Sequence, residues 1–253
     1  MAGVVAAVGA RVTRFQPGQE VYGTCESGSY AEYASARQSR LAPKPAGLTF
    51  EQAAAIPVSG MTALQAVRDV AQVRPGQRAL VIGASGGVGS FAVQIAKAYG
   101  ASVTGVCSAA RAGLVRSLGA DDVVDYAREE IDRDGARYDV VVDTAGNRPL
   151  SLLRRALTPR GTLVIVGGGH TAYRFTGGMG RTFRAPLLSM FVGQRLRPVV
   201  SRERAEHLEE LARFVESGAV TPVIDRAYPL SEAPDAIRRL IEGHPAGKVV
   251  VTL

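Results

Sequence analysis

The residues with the clearest capacity for chemistry lie at Leu80-Val81-Ile82-Gly83-Ala84-Ser85-Gly86-Gly87-Val88-Gly89, where an apolar run passes into a glycine-rich turn. Missing side chains at Gly83, Gly86, Gly87 and Gly89 let such a turn be tight, let a pyrophosphate approach the backbone, and let the following helix pack on the strand. Amides at the helix N-terminus then face the anion, and Ser85 and Val88 belong to the same turn. The spacing is a GxxGxxG variant, since Ala84 stands where the commoner fingerprint has its first glycine. The strand-turn-helix context assigns dinucleotide binding to Gly83, Ser85, Gly86, Gly87, Val88 and Gly89; a merely structural glycine turn is the plain alternative. Gly83-Ala84-Ser85-Gly86-Gly87 also fits G-x-S-x-G, the nucleophile elbow of hydrolases, with Asp225 and His244 following in the required order. That rival is weaker, because an elbow normally follows several strands of its sheet, whereas this turn follows the first strand of an alternating region.

The end of the second strand of that region bears on the choice of cofactor. An NAD site places an acid about 20 residues beyond the glycines to hold the ribose hydroxyls. Val106-Cys107-Ser108 carries none. Ser108 instead offers a hydroxyl and Arg111 a charged fork, which suits a 2′-phosphate and favours NADP(H). A solvated Arg111 on a helix surface is the competing reading. No metal site is expected: HExxH is absent, Cys25 and Cys107 are far apart, and no His/Cys cluster has ligand spacing.

These groups must be positioned by elements legible in the pattern. From Arg78 the chain alternates strands and helices, with short β-branched runs at 79–82, 102–106, 122–124, 139–142 and 162–166. Such runs mark strands buried on both faces of a parallel, doubly wound sheet. Before them the chain is β-rich, with strand-like stretches at 3–8, 20–24 and 31–35 and a turn at Gln16-Pro17-Gly18. Thr49 and Gln52 have capping-box spacing for a helix that Pro57 ends, and 61–70 reads as a second helix. Gly167 to Gly180 is a glycine-rich loop suited to closing over a ligand. Ser201 and Ser231 are placed to cap two amphipathic helices, and 248–253 reads as a final strand.

Length and composition bound the rest. The chain has 253 residues, 46% hydrophobic and 21% charged, which fits one large or two small globular domains and excludes disorder as the main reading. The net charge of +7 comes from scattered arginines, with only Lys44, Lys97 and Lys248 as lysines and no basic run. Nucleic acid is therefore not the expected partner. The uncharged window 79–96 is broken by Gly83, Gly86, Gly87 and Gly89, so a membrane span is not expected either. Met1 to Ala10 lacks the basic start of a signal peptide, which leads us to expect a cytoplasmic protein.

Val21-Tyr22-Gly23, Gly28-Ser29-Tyr30-Ala31-Glu32-Tyr33, Ala53-Ala54-Ala55-Ile56-Pro57, Met61-Thr62-Ala63-Leu64-Gln65, the 83–89 turn, Leu118-Gly119-Ala120-Asp121, Gly243-His244 and Gly247-Lys248-Val249-Val250 together resemble the medium-chain dehydrogenase/reductase superfamily, in its zinc-free NADPH quinone oxidoreductase-like branch. The resemblance spans nearly the whole chain. It implies a Rossmann sheet inserted in a partial GroES-like β-rich substrate domain: substrate domain over 1–72, nucleotide domain over 73–200, and helices and strands returning over 201–253. By position, Ser108 and Arg111 grip the 2′-phosphate, Tyr126 lies by the adenine end, and Val166, Gly167 and Gly168 border the nicotinamide. Thr62 approaches the nicotinamide from the substrate side as the candidate catalytic-site residue, a hydrogen-bond donor more than a proton source. Zinc-dependent relatives have a cysteine ligand near the place of Val58, in keeping with a metal-free site. Homodimerisation through 195–200 is the family expectation. Relatives carry further strands before the stretch matching Ala2-Gly3-Val4-Val5, so a cleft short of one wall is expected. The implied activity is NADPH-dependent hydride transfer to a quinone or an α,β-unsaturated carbonyl compound. A non-catalytic NADPH-binding sensor or interaction protein is the alternative.

Overall fold

The computed structural model describes residues 1–26, 28–135, 137–166, 180–243 and 245–253. They divide into two compact units, one formed by Met1–Met61 with Arg202–Leu253 and the other by Thr62–Ser201.

The first unit opens with an antiparallel sheet in which β1 (Ala2–Val4) pairs with β2 (Glu20–Gly23), and β2 with β3 (Leu41–Pro43). Phe15, Val21 and Leu41 form its small apolar cluster. The expected strand over 3–8 ends at Val4, after which Val5 still exchanges backbone hydrogen bonds with Gln19 and Gly18 at 2.9 and 2.8 Å, and the stretch 31–35 joins no ladder among the described residues. Thr49 and Gln52 form the expected capping box at the start of α1 (Phe50–Ala55), the two bonds measuring 3.3 and 3.0 Å. That helix stops at Ala55, with Ile56 as its C-cap ahead of Pro57, and Pro57 also begins the next, α2 (Pro57–Leu64), where its missing N–H costs nothing. The expected helix over 61–70 is thus the end of α2 followed by a π-helical segment, Gln65–Ala71, closed by Gln72 at a φ of 54°.

The second unit is built on β4 (Arg78–Ile82), α3 (Gly87–Ala98), β5 (Ser102–Cys107), α4 (Ala112–Ser117), β6 (Asp122–Asp125), β7 (Tyr138–Asp143), α5 (Leu150–Arg155), β8 (Leu157–Ile165), α6 (Gly180–Ser189) and β9 (Arg195–Pro198). All six strands run parallel in the order β6-β5-β4-β7-β8-β9. The first strand is therefore central, and the direction of winding reverses between β4 and β7, the place where open α/β sheets bind nucleotides. Leu80, Ile82, Val106, Val141, Leu163 and Leu196 pack in one buried cluster, which explains the uninterrupted apolar runs. β8 starts at Leu157, five residues before the expected 162, because Leu157 reaches across to pair with Tyr138 through a register shift.

The chain then returns to the first unit through α7 (Ala205–Glu216), β10 (Ile224–Pro229), α8 (Ala233–Glu242) and β11 (Lys248–Thr252), with β10 and β11 parallel. Neither expected cap is used. Ser201 Oγ accepts a hydrogen bond from Gln65 Nε2 at 3.2 Å and Arg204 precedes α7, while Ser231 lies in a 3-10 turn ahead of α8. Tyr22, fully buried on β2, donates its hydroxyl to the Leu208 carbonyl of α7 at 2.6 Å. Burial, then the nearby Glu216 and Glu209, push its ionisation well above the usual tyrosine range, so it stays a donor.

Candidate dinucleotide-binding site

The glycine turn stands at the C-terminal end of β4, at the switch point of the sheet. Gly83 has a φ of +79°, and a Cβ there would come within 2.6 Å of Thr144 Oγ1. The Val106 carbonyl on β5 accepts both the Gly83 and Ala84 amides at 3.1 and 3.0 Å, and the Gly86 amide closes the turn onto the Gly83 carbonyl at 2.9 Å. A Cβ on Gly89 would lie 2.0 Å from that same carbonyl oxygen. Helix α3 can seat itself on the turn only because Gly89 has no side chain. Ala84, the departure from the commoner fingerprint, is fully buried over Gly105, where a Cβ would come within 3.1 Å of the Ala84 methyl. The glycine has in effect moved to the neighbouring strand.

Gly86 is the N-cap of α3 and has no side chain to cap it, so the first-turn amides are not satisfied by a cap. Ser85, Gly86, Gly87 and Val88 are half-buried, within reach of a bound molecule. A twelve-residue helix with an uncapped N-terminus, approached across glycines that leave room for it, fits a pyrophosphate.

The adjoining strand ends carry the other expected residues. Ser108 starts a 3-10 turn, Ala109–Arg111, without its side chain capping it, and Ser108 and Arg111 are half-buried. The Tyr126 amide donates to the Cys107 carbonyl at 3.2 Å, which brings Tyr126, 57% exposed, to the same edge as Ser108. An acid is also present there, on β6 rather than β5: Asp125 pairs in register with Cys107. Its carboxylate is held by the Ala127 amide at 3.1 Å and by Arg128 at 3.7 Å. Cys107 is buried, and burial pushes its thiol up, so it is not a reactive group.

On the other side of the switch point, the Thr144 hydroxyl donates to the Ile82 carbonyl at 2.7 Å, joining β7 to β4. Asp143, fully buried, accepts the Ala145 and Gly146 amides at 3.2 and 3.0 Å, and the Val166 amide donates to the Asp143 carbonyl at 2.9 Å. Sequence reasoning missed Asp143 and Thr144. Their signal was a polar pair directly after a buried strand, at the edge where such sheets place ligands. Val166 is buried, whereas Gly167 and Gly168, and the rest of the loop up to 179, lie outside the described residues. Thr62 is half-buried in α2, directly ahead of the π-helical segment that packs on β7, β8 and α3.

The hydrolase alternative gains nothing from the geometry. Asp225 accepts from Arg239 at 3.0 Å and from the Ala246 amide at 2.9 Å, and His244 lies outside the described residues. No group of three or more His, Cys, Asp or Glu among the described residues could hold a metal ion.

Residues 118–251 match the zinc-binding dehydrogenase family and residues 1–46 match the alcohol dehydrogenase GroES-like domain. The chain belongs to the medium-chain dehydrogenase/reductase superfamily, among its quinone oxidoreductase-like members. It is 36% identical to the chloroplast envelope quinone oxidoreductase homolog of Arabidopsis thaliana, over 99% of this chain and 78% of that protein. It is 34% identical to the mitochondrial NAD(P)H oxidoreductase RTN4IP1 of Mus musculus, over 100% of this chain and 69% of that protein. The quinone oxidoreductase structure from Coxiella burnetii superimposes with a TM-score of 0.88 at 28% identity, covering 100% of this chain and 77% of that one. The chain is thus an oxidoreductase of quinone-reductase type, in a family that uses a nicotinamide cofactor. Its Rossmann sheet and GroES-like segment agree with the fold expected from the sequence. Relatives named as chloroplastic and mitochondrial occur alongside it, and no helix among the described residues is long and apolar enough to cross a membrane.

Replacing Gly89 with Ala is expected to weaken nucleotide binding at least tenfold, about 1.4 kcal/mol, because α3 must withdraw from the turn. Gly113→Ala in α4, with nothing within 4 Å of its added Cβ, is the matched control and keeps wild-type affinity. Titration of both variants by nicotinamide fluorescence checks this, and equal affinities would remove the Gly83–Gly89 contact from the site.

Proposed function

We propose that the chain is an NADPH-dependent reductase that delivers a hydride to a quinone or an α,β-unsaturated carbonyl compound without zinc. The observation that carries this reading is the tight glycine turn opening α3 at the switch point, with Ser108 and Arg111 at the end of the neighbouring strand. Gly83, Ser85, Gly86, Gly87, Val88 and Gly89 hold the pyrophosphate, chiefly through backbone amides. Ser108 and Arg111 take the 2′-phosphate, and the engagement of Asp125 by Ala127 and Arg128 offsets its negative charge. Tyr126 lies along the adenine end; Val166, Gly167 and Gly168 border the nicotinamide. Thr62 positions the substrate carbonyl by donating a hydrogen bond. The cofactor supplies the hydride from C4 of its nicotinamide, and the chain's share is orientation and exclusion of water.

Two observations support a zinc-free reaction despite the zinc-binding description of the matched family. Val58 has no ligating atom, and the described residues contain no donor cluster, so no step through a metal is derived. A homodimer through β9 is supported by its place at the sheet edge and by exposed apolar groups beside it, with Phe191 at 84% and Met190 at 78%.

NADPH is expected to bind more tightly than NADH and to be oxidised when a simple quinone is added; binding without oxidation favours the non-catalytic sensor. Arg111→Ala weakens NADPH about 10- to 100-fold, the worth of a charge-assisted hydrogen bond, and leaves NADH nearly unchanged. Equal losses for both cofactors would show that Arg111 does not read the phosphate. Thr62→Val lowers kcat about three- to tenfold, and an unchanged rate takes Thr62 out of the site. Sedimentation at assay concentration is expected to give the dimer mass, and a monomer would refute the assignment to β9.

A further inference from the structure

The switch point of the sheet has a second flank, the loop that leaves β7, and the first residue of that loop meets the glycine turn directly. Asp143 pairs in register with Ile82, the last residue of β4, and Thr144 follows it at a half-buried position. The amide and the hydroxyl of Thr144 both donate to the Ile82 carbonyl, at 3.1 and 2.7 Å. The amide alone continues the ladder between the strands. The hydroxyl takes the second lone pair of an oxygen that is already bonded, so strand pairing does not account for it.

What the hydroxyl governs is the conformation of Gly83. Threonine is stiff about its first side-chain torsion. The loop behind it is fixed as well, since the buried Asp143 carboxylate accepts the Ala145 and Gly146 amides at 3.2 and 3.0 Å, and Gly146 turns the chain at a φ of 71°. Thr144 Oγ1 is therefore held in place, 2.6 Å from where a Cβ on residue 83 would stand and 3.5 Å from the Gly83 carbonyl oxygen. The Ala145 methyl lies 3.6 Å from the same Cβ position. Only a glycine fits against this flank, and it takes a φ of +79°. The Gly83 carbonyl, aimed by that conformation, accepts the Gly86 amide at 2.9 Å and is the atom against which Gly89 seats α3. Val106 holds the turn by its amides from β5, and Thr144 holds its carbonyl side from β7. A short path of contacts thus runs from the Thr144 hydroxyl to the uncapped first turn of α3.

We propose that Thr144 is a positioning residue for the cofactor: its hydroxyl, fixed on the Ile82 carbonyl, holds the Gly83–Gly89 turn in the orientation at which the first-turn amides of α3 meet the pyrophosphate. The role is one of placement and requires no contact between Thr144 and the cofactor. It rests on the nucleotide-binding reading above.

NADPH carries phosphorus in its pyrophosphate and in its 2′-phosphate, so 31P spectra of the bound cofactor read the two places separately, and only the pyrophosphate depends on the turn. Thr144→Val keeps the shape of the side chain and removes the hydroxyl. It is expected to raise Kd for NADPH about three- to tenfold, the worth of one neutral hydrogen bond. The bound pyrophosphate resonances are expected to move toward their positions in free NADPH while the 2′-phosphate resonance stays. Thr144→Ser returns the hydroxyl and is expected to restore both readouts. Thr144→Ala carries the same test if the Val variant does not fold. Wild-type affinity in a folded Val or Ala variant overturns the proposal, as does a Ser variant as weak as the Val one. A shift of all the phosphorus resonances together also overturns it, because that marks a general loosening of the unit. If the unaltered chain leaves the spectrum of free NADPH unchanged, the nucleotide-binding reading fails and the placement role with it.

Discussion

The nucleotide unit depends on one steric contact, the seating of α3 against the Gly83 carbonyl. At 2.0 Å from that oxygen no Cβ on Gly89 is tolerable, whereas each hydrogen bond around the turn contributes only about 1 kcal/mol net. The steric term therefore decides the geometry and the hydrogen bonds follow it. With α3 in contact, its uncapped first turn faces outward from the sheet edge. With β4 in the centre of the sheet, the neighbours on both sides hold the turn: Val106 accepts two of its amides from one side, and Thr144 reaches Ile82 from the other.

Charge at this edge is arranged by local neutralisation. Asp143 and Asp125 close the strands β7 and β6, Asp143 accepting the amides two and three residues ahead and Asp125 the amide two ahead. Those bonds shape the loops that follow the two strands. Ser108 and Arg111, in the turn that follows β5, are half-buried. The end of β5 thus has an acid beside it, Asp125, that stands on β6.

The GroES-like unit is held by different means. Its sheets are short, and its long-range ties are specific polar contacts: the buried Tyr22 hydroxyl on Leu208, Thr24 on Glu203 at 3.0 Å, and Lys248 on Ser59. Close helix packing adds to them, since Gly60 on α2 leaves only enough room for the Leu211 side chain of α7, 3.1 Å from where a Cβ would stand. A lysine in such a setting keeps its charge only at the expense of solvation, so its proton is more readily released than that of an exposed lysine.

The glycine turn, the alternating strands behind it and the family likeness were all legible in the sequence, because each is written in local spacing: glycines where side chains collide, and β-branched runs where strands are buried on both faces. Thr49 and Gln52 were legible for the same reason, as a cap spans only three residues. What failed were features set by distant partners. Ser201 has the chemistry of a cap, but Gln65 claims its hydroxyl; 31–35 has strand composition, but joins no strand among the described residues. The compensation of Ala84 by Gly105, the pairing of Asp125 with Cys107, the latch from Thr144 to Ile82 and the bond between Lys248 and Ser59 join residues from 18 to 189 positions apart. Such pairs exist only once the sheets and helices have packed, since sequence spacing encodes which residues share an element and tertiary structure alone decides which elements meet.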